Sequence, residues 1–137
     1  MSDFELHPRL GADCHRLGRI GHCELLLNRN AAVPWFILVP HTGVLELFDL
    51  DPPLRAELEA AGDALARWLK RRFGCDKVNV AAIGNLVPQL HVHIVGRRAG
   101  DACWPLPVWG HLPAGPDYGE LEIAALESDL AGILGKL

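Results

Sequence analysis

The sequence predicts an α+β domain: an antiparallel sheet of about five strands, one long helix packed on it, and a second helix closing the chain. Three observations carry this reading. Two apolar runs, 22–28 and 35–39, flank a short turn and read as a hairpin. A long repeat at helical spacing follows, and two more strand-like runs, 77–82 and 90–95, come after it.

Each element has a local justification. His22-Cys23-Glu24-Leu25-Leu26-Leu27-Asn28 reads as a strand, 29–34 turns, and Trp35-Phe36-Ile37-Leu38-Val39 reads as a more buried strand ended by Pro40. Beyond it, Leu54, Leu58, Ala61, Leu65, Leu69 and Phe73 recur at helical spacing. Asp51 stands at the N-cap, Pro52 and Pro53 fall in the first turn, and Gly74 marks the stop. Lys77–Ala82 and Leu90–Val95 are the later strands, joined by 83–88. Leu126, Leu130, Ile133, Leu134 and Leu137 point to the closing helix.

Composition narrows the function classes. With 137 residues, 50% hydrophobic and 22% charged, the chain is expected to form one domain over 1–137 with a core that needs no disulfide or metal staple. A net charge of −4 argues against a dominant grip on nucleic-acid backbones, while leaving room for a small phosphate ligand. The basic cluster Lys70-Arg71-Arg72 complements the end of the long helix. The N-terminal residues lack the pattern of a secretory leader, and no run approaches the ~18 apolar residues of a membrane span, so a soluble cytoplasmic protein without membrane or nucleic-acid partners is expected. The four cysteines, Cys14, Cys23, Cys75 and Cys103, form no C-x-x-C pair and are expected to be reduced thiols.

The chemistry concentrates in Gln89-Leu90-His91-Val92-His93-Ile94-Val95. Side chains alternate across a strand, so Gln89, His91 and His93 share one face. Such a row can be nothing more than the half-polar outer face of a sheet. Gly84 and Asn85 in the preceding loop, and Asn79 on the neighbouring strand, add amides that suit an anion pocket. His7, His15, His41 and His111 lie near prolines, glycines or polar turns and are expected at the surface, and His22 at a strand start is unremarkable.

The run at 89–95 resembles the signature of the histidine-triad (HIT) family, His-φ-His-φ-His-φ-φ with φ apolar, glutamine standing in the first histidine position. Leu25 to Arg29, followed by Val33 to Pro40, is similar to that family's asparagine, loop and hairpin, and the resemblance covers most of residues 14–110. Pro88 to His93 with Trp104-Pro105-x-Pro107-Val108-Trp109-Gly110 looks like a bacterial branch described as HIT-domain or diadenosine-polyphosphate-hydrolase-like proteins.

The resemblance implies a nucleotide hydrolase or nucleotidyl transferase acting at an α-phosphate through a nucleotidyl-histidine. His91 would be the nucleophile, and His93 would donate to a phosphate oxygen or the leaving group. Asn85 and Gly84 would hold the phosphate, Asn28 would contact the ribose, and Asn79 is a further candidate for the same pocket. Gln89 can support by hydrogen bonding but carries no titratable proton. No metal or other cofactor is needed in this scheme, the partner is a small-molecule nucleotide, and a homodimer through the long helix and neighbouring strand is expected. Trp104 to Gly110 would shape the leaving-group side.

Departures from the signature accompany the matches. Besides Gln89, Leu86 stands where serine or threonine is frequent, and Phe36 stands where many members carry an additional histidine. Two rival readings follow: a catalytically weak or silent nucleotide-binding module, and a metal site built on His91 and His93, for which no third ligand at firm spacing is evident.

Overall fold

Five antiparallel strands form the sheet: β1 (Cys14–Ile20), β2 (Cys23–Asn28), β3 (Trp35–Pro40), β4 (Lys77–Ala81) and β5 (Val92–Arg97). They lie in the order β1-β2-β3-β5-β4 in the computed structural model, which describes residues 4–134. Among the described residues, three α-helices accompany them: α1 (Pro8–Asp13), α2 (Pro52–Phe73) and α3 (Glu120–Leu130). The expected α+β architecture is observed.

Strand alternation sorts the apolar residues into two layers. Leu25, Leu27, Phe36, Leu38 and Ile94 join Leu58, Ala61, Leu65, Trp68 and Leu69 of α2 in the main core. Leu26, Ile37 and Val39 face the other way and pack with Leu10, Cys14 and Val87. Gly96 belongs to the α2 side: a Cβ there would stand 2.4 Å from Leu69 Cδ2 and 2.6 Å from Cys75 Sγ, so only glycine lets the helix approach β5 so closely.

α2 ends as its sequence predicts. Gly74 adopts the left-handed conformation at φ 62, and the Cys75 N–H reaches the Lys70 carbonyl at 2.9 Å. At its other end Asp51 holds the N-cap position without a side-chain capping bond, and the two prolines occupy the first turn.

The structure departs from the sequence reading at three points. β1 has no counterpart among the strands read from the sequence, because its buried residues Cys14, Leu17 and Ile20 recur every third position. A bulge between Arg16 and Gly18, with Gly18 at φ 135, shifts the register and breaks the two-residue alternation. The closing helix lies earlier than the leucine spacing suggested: α3 spans Glu120–Leu130, with Glu120 and Glu122 in its first turn and the Gly119 N–H bonded to Glu122 Oε1 at 2.9 Å. Ile133 and Leu134 lie in the turn beyond it, and Leu137 lies outside the described residues.

The third correction is His41, which is not a surface residue. Its ring stacks on Phe4 at 4.3 Å, its Nε2 lies 2.7 Å from Glu24 Oε2, and its side chain is 11% exposed. The reason is tertiary: the N-terminal segment crosses over it. His15 is likewise half-buried, with Nε2 2.7 Å from Asp117. No helix among the described residues is long and apolar enough to cross a membrane.

Candidate active site

β5 runs between β3 and β4, and the face of the sheet opposite α2 carries the chemistry. His93 stands across from Ile37 on one side and Ala81 on the other, so its ring projects with theirs onto that face. His91 lies just before the strand, which opens at Val92 rather than Leu90. The two imidazoles are buried, with centroids 4.8 Å apart.

Their hydrogen bonds assign them different protonation patterns. His91 Nδ1 lies 2.6 Å from the Gln89 carbonyl oxygen. A carbonyl only accepts, so Nδ1 carries the proton and Nε2 keeps its lone pair. The Trp35 indole donates from Nε1 to His93 Nδ1 at 3.0 Å. An indole only donates, so the neutral His93 ring carries its proton on Nε2. Burial, with a smaller push from His91, lowers the His93 imidazole from 6.5 to about 4, which keeps it neutral at pH 7. One ring therefore presents a nucleophilic nitrogen and its neighbour presents a donor.

Both rings line a cleft of about 400 Å³. Asn28, Gly84 and Asn85 line the same cleft, as do Trp35, Ile37 and Trp109. Gly84 has φ 70, a conformation that turns the 82–88 loop back over the histidines and strains any other residue. Asn28 Oδ1 accepts from the Asn30 N–H at 2.9 Å, which anchors the amide at the start of its loop. Trp109 packs edge-on against His93 at 5.1 Å and against Trp35 at 5.8 Å, closing one end.

Two of the sequence-derived candidates are elsewhere. Asn79 shares a face with Val95, but its Oδ1 accepts from Arg97 at 3.2 Å within a buried cluster that includes Asp101, and it does not line the cleft. Gln89 touches His91 only through its backbone carbonyl and does not line the cleft: its side chain bonds the backbone of Glu5 and His7. Phe36 points to the other side of the sheet, its ring 5.6 Å from Trp68. Position 36 therefore cannot supply a group to this cleft, whatever its residue type. Leu86 is exposed on the rim.

Sequence reasoning missed Trp35 and the N-terminal wall. Trp35 read as one residue of a buried strand, and only the pairing of β3 with β5 brings its N–H to His93. Arg9, Leu10 and Asp13 of α1 also line the cleft, a role that no motif in the sequence marks. Among the described residues, no three His, Cys, Asp or Glu side chains gather as a metal-binding set.

Comparisons with known proteins agree with this geometry. A family model described as the HIT domain matches residues 9–100. A histidine triad protein from Bradyrhizobium japonicum is 40% identical, with a TM-score of 0.89 over 96% of this chain and 98% of its own. Another from Marinobacter aquaeolei is 43% identical, with a TM-score of 0.88 over 96% of each chain. A third, from Sinorhizobium meliloti, is 38% identical, with a TM-score of 0.89 over 96% of this chain and 98% of its own. A search of curated proteins found no match. Paired imidazoles of opposite tautomer, the five-stranded sheet that holds them and the match over most of the sequence lead to one conclusion: the chain belongs to the HIT domain family.

Proposed function

We propose that the protein is a nucleotide hydrolase or nucleotidyl transferase that acts at the α-phosphate of a dinucleoside polyphosphate or a nucleoside phosphoramidate. The observation that carries this reading is the tautomer pair. His91 Nε2, left with its lone pair by the Nδ1 bond to the Gln89 carbonyl, attacks the α-phosphorus and forms a P–N bond. The bond from phosphorus to the leaving group breaks, and the leaving group departs with the electron pair. His93 Nε2–H, a donor because Nδ1 is occupied by Trp35, hydrogen-bonds a nonbridging oxygen or the departing atom. Water then attacks the nucleotidyl-histidine, releases nucleoside monophosphate and restores the neutral imidazole. A second acceptor in place of water makes the same intermediate a transferase.

Asn28 sits at the nucleoside end of this scheme, with Gly84 and Asn85 beside the phosphate. The test is a rapid quench of the wild-type protein with a dinucleoside polyphosphate and, separately, with a nucleoside phosphoramidate, followed by peptide mapping. The expected product is a nucleotide adduct on His91. Absence of an adduct together with tight nucleotide binding would reduce the protein to a binding module.

The acting unit in this reading is a homodimer. The apolar stripe of α2 is not available for it, because Leu58, Ala61, Leu65, Trp68 and Leu69 are already buried within one chain. Among the described residues β4 pairs only with β5, and it carries Val80 at 61% exposure. Leu45, Phe48 and Ile83 are exposed together around a neighbouring hollow, an apolar area of the kind that a second copy covers. Light scattering at micromolar concentration is expected to give twice the chain mass, and a monomer mass at high concentration rejects the dimer.

A further inference from the structure

We propose that Gln89 is a positioning residue whose clasp on the N-terminal segment builds the nucleoside wall of the cleft. The inference rests on the nucleotidyl-transfer reading of that cleft. The side-chain amide of Gln89 makes two bonds to backbone 82 or more residues away in sequence: Oε1 accepts from the His7 N–H at 2.8 Å, and Nε2 donates to the Glu5 carbonyl at 2.9 Å. Residues 5 and 7 lie two apart in the chain, so the amide engages their N–H and carbonyl as a neighbouring strand's peptide group would. An imidazole is a poor substitute, since its two nitrogens are fixed on one ring and neutral histidine offers one donor and one acceptor in diverging directions.

The clasp transmits directly to the cleft. His7 is the N-cap of α1, its Nδ1 accepting from the Arg9 N–H at 3.1 Å while its carbonyl accepts from the Gly11 N–H. α1 is a single short helix of six residues, too short to persist without tertiary support. It nevertheless supplies Arg9, Leu10 and Asp13 to the lining of the cleft. A second fastening, Phe4 on the His41 ring, holds the segment further upstream. The side chain in the first position of the triad signature thus acts on where the nucleoside sits, while the backbone carbonyl of the same residue, which any residue type supplies, sets the His91 tautomer.

Two variants and two readouts test this. Gln89→Met keeps the length of the side chain and removes both bonds, whereas Gln89→Glu keeps the acceptor for His7 and loses the donor. The first readout needs no activity: Cys14, at the end of α1, is 2% exposed and lines the cleft, and its alkylation by a thiol reagent reports loosening of the segment. Cys23, fully buried in the main core, is the internal control. The second readout is affinity for the four common nucleoside monophosphates, with KM and kcat on a dinucleoside polyphosphate.

Gln89→Met is expected to accelerate Cys14 alkylation while leaving Cys23 unchanged. It is also expected to weaken monophosphate binding and raise KM about tenfold, with kcat within about threefold, and Gln89→Glu should fall between it and wild type. A fall in kcat at unchanged affinity would assign Gln89 to the chemistry and overturn the proposal. Unchanged Cys14 reactivity would overturn the clasp itself. Wild-type protein that binds no monophosphate, with Cys14 still responding to the variant, would reject the nucleotide reading and the nucleoside wall with it.

Discussion

His91→Gly is expected to abolish release of nucleoside monophosphate while leaving nucleotide affinity within about tenfold of wild type. The loss is absolute for chemistry because no other nitrogen in the cleft has its lone pair presented by a backbone carbonyl as His91 Nε2 has. Affinity survives because the cleft keeps Asn28, Asn85 and its apolar lining. His93→Ala should lower both, since it removes a donor to the phosphate and strands the Trp35 N–H that it accepts. Turnover and equilibrium binding measured on the same preparations separate these outcomes. Unchanged hydrolysis in His91→Gly would sink the covalent mechanism.

Asp101→Ala is expected to destabilise the fold by about 3–5 kcal/mol, read from denaturant unfolding. Arg97 is 2% exposed, and its guanidinium donates to Asp101 through Nε at 2.8 Å and Nη2 at 3.0 Å. Removing the carboxylate leaves a buried cation whose remaining partners, Asn79 Oδ1, the Cys103 sulfur and the face of the Trp104 ring, are all uncharged. Asp101 also accepts from the N–H groups of Arg98 and Cys103, so the same change loosens the turn that leads from β5 toward Trp109.

The pH dependence has a definite sign. Hydrogen bonds from Arg97 outweigh burial and hold the Asp101 carboxyl down from 3.8 to about 2. A depressed carboxylate contributes stability that is fully present above about 3.8 and is lost as pH falls toward about 2. The difference in stability between wild type and Asp101→Ala should therefore narrow across that window. A difference under about 1 kcal/mol at pH 7 would refute the role given to the pair.

How far these residues were legible depended on the range of the interaction involved. The helix over 52–73 could be read from its apolar period, its prolines and its terminal glycine, because each signal acts within a turn or two of chain. The hairpin and the shared direction of His91 and His93 followed from strand alternation, and the order of motifs pointed to the family. β1 was hidden by one bulge, since a single extra residue moves every later side chain to the opposite face. Asn79 was legible as an amide on the right strand, yet its partner Arg97 is set by the pairing of β4 with β5 and claims it for another cluster.

By itself, then, the sequence determined the α+β architecture, the family signature and the two imidazoles that carry the proposed chemistry, all of which depend on local periodicity and spacing. The tertiary structure alone decided which nitrogen of each imidazole is free. That choice depends on the Gln89 carbonyl folding back on one ring and on Trp35 arriving from a strand 58 positions away from the other. It also decided that Gln89 reaches the backbone of Glu5 and His7 instead of the phosphate side of the cleft. Hydrogen bonds between distant segments have no period in the chain; they exist only once packing has brought donor and acceptor within about 3 Å.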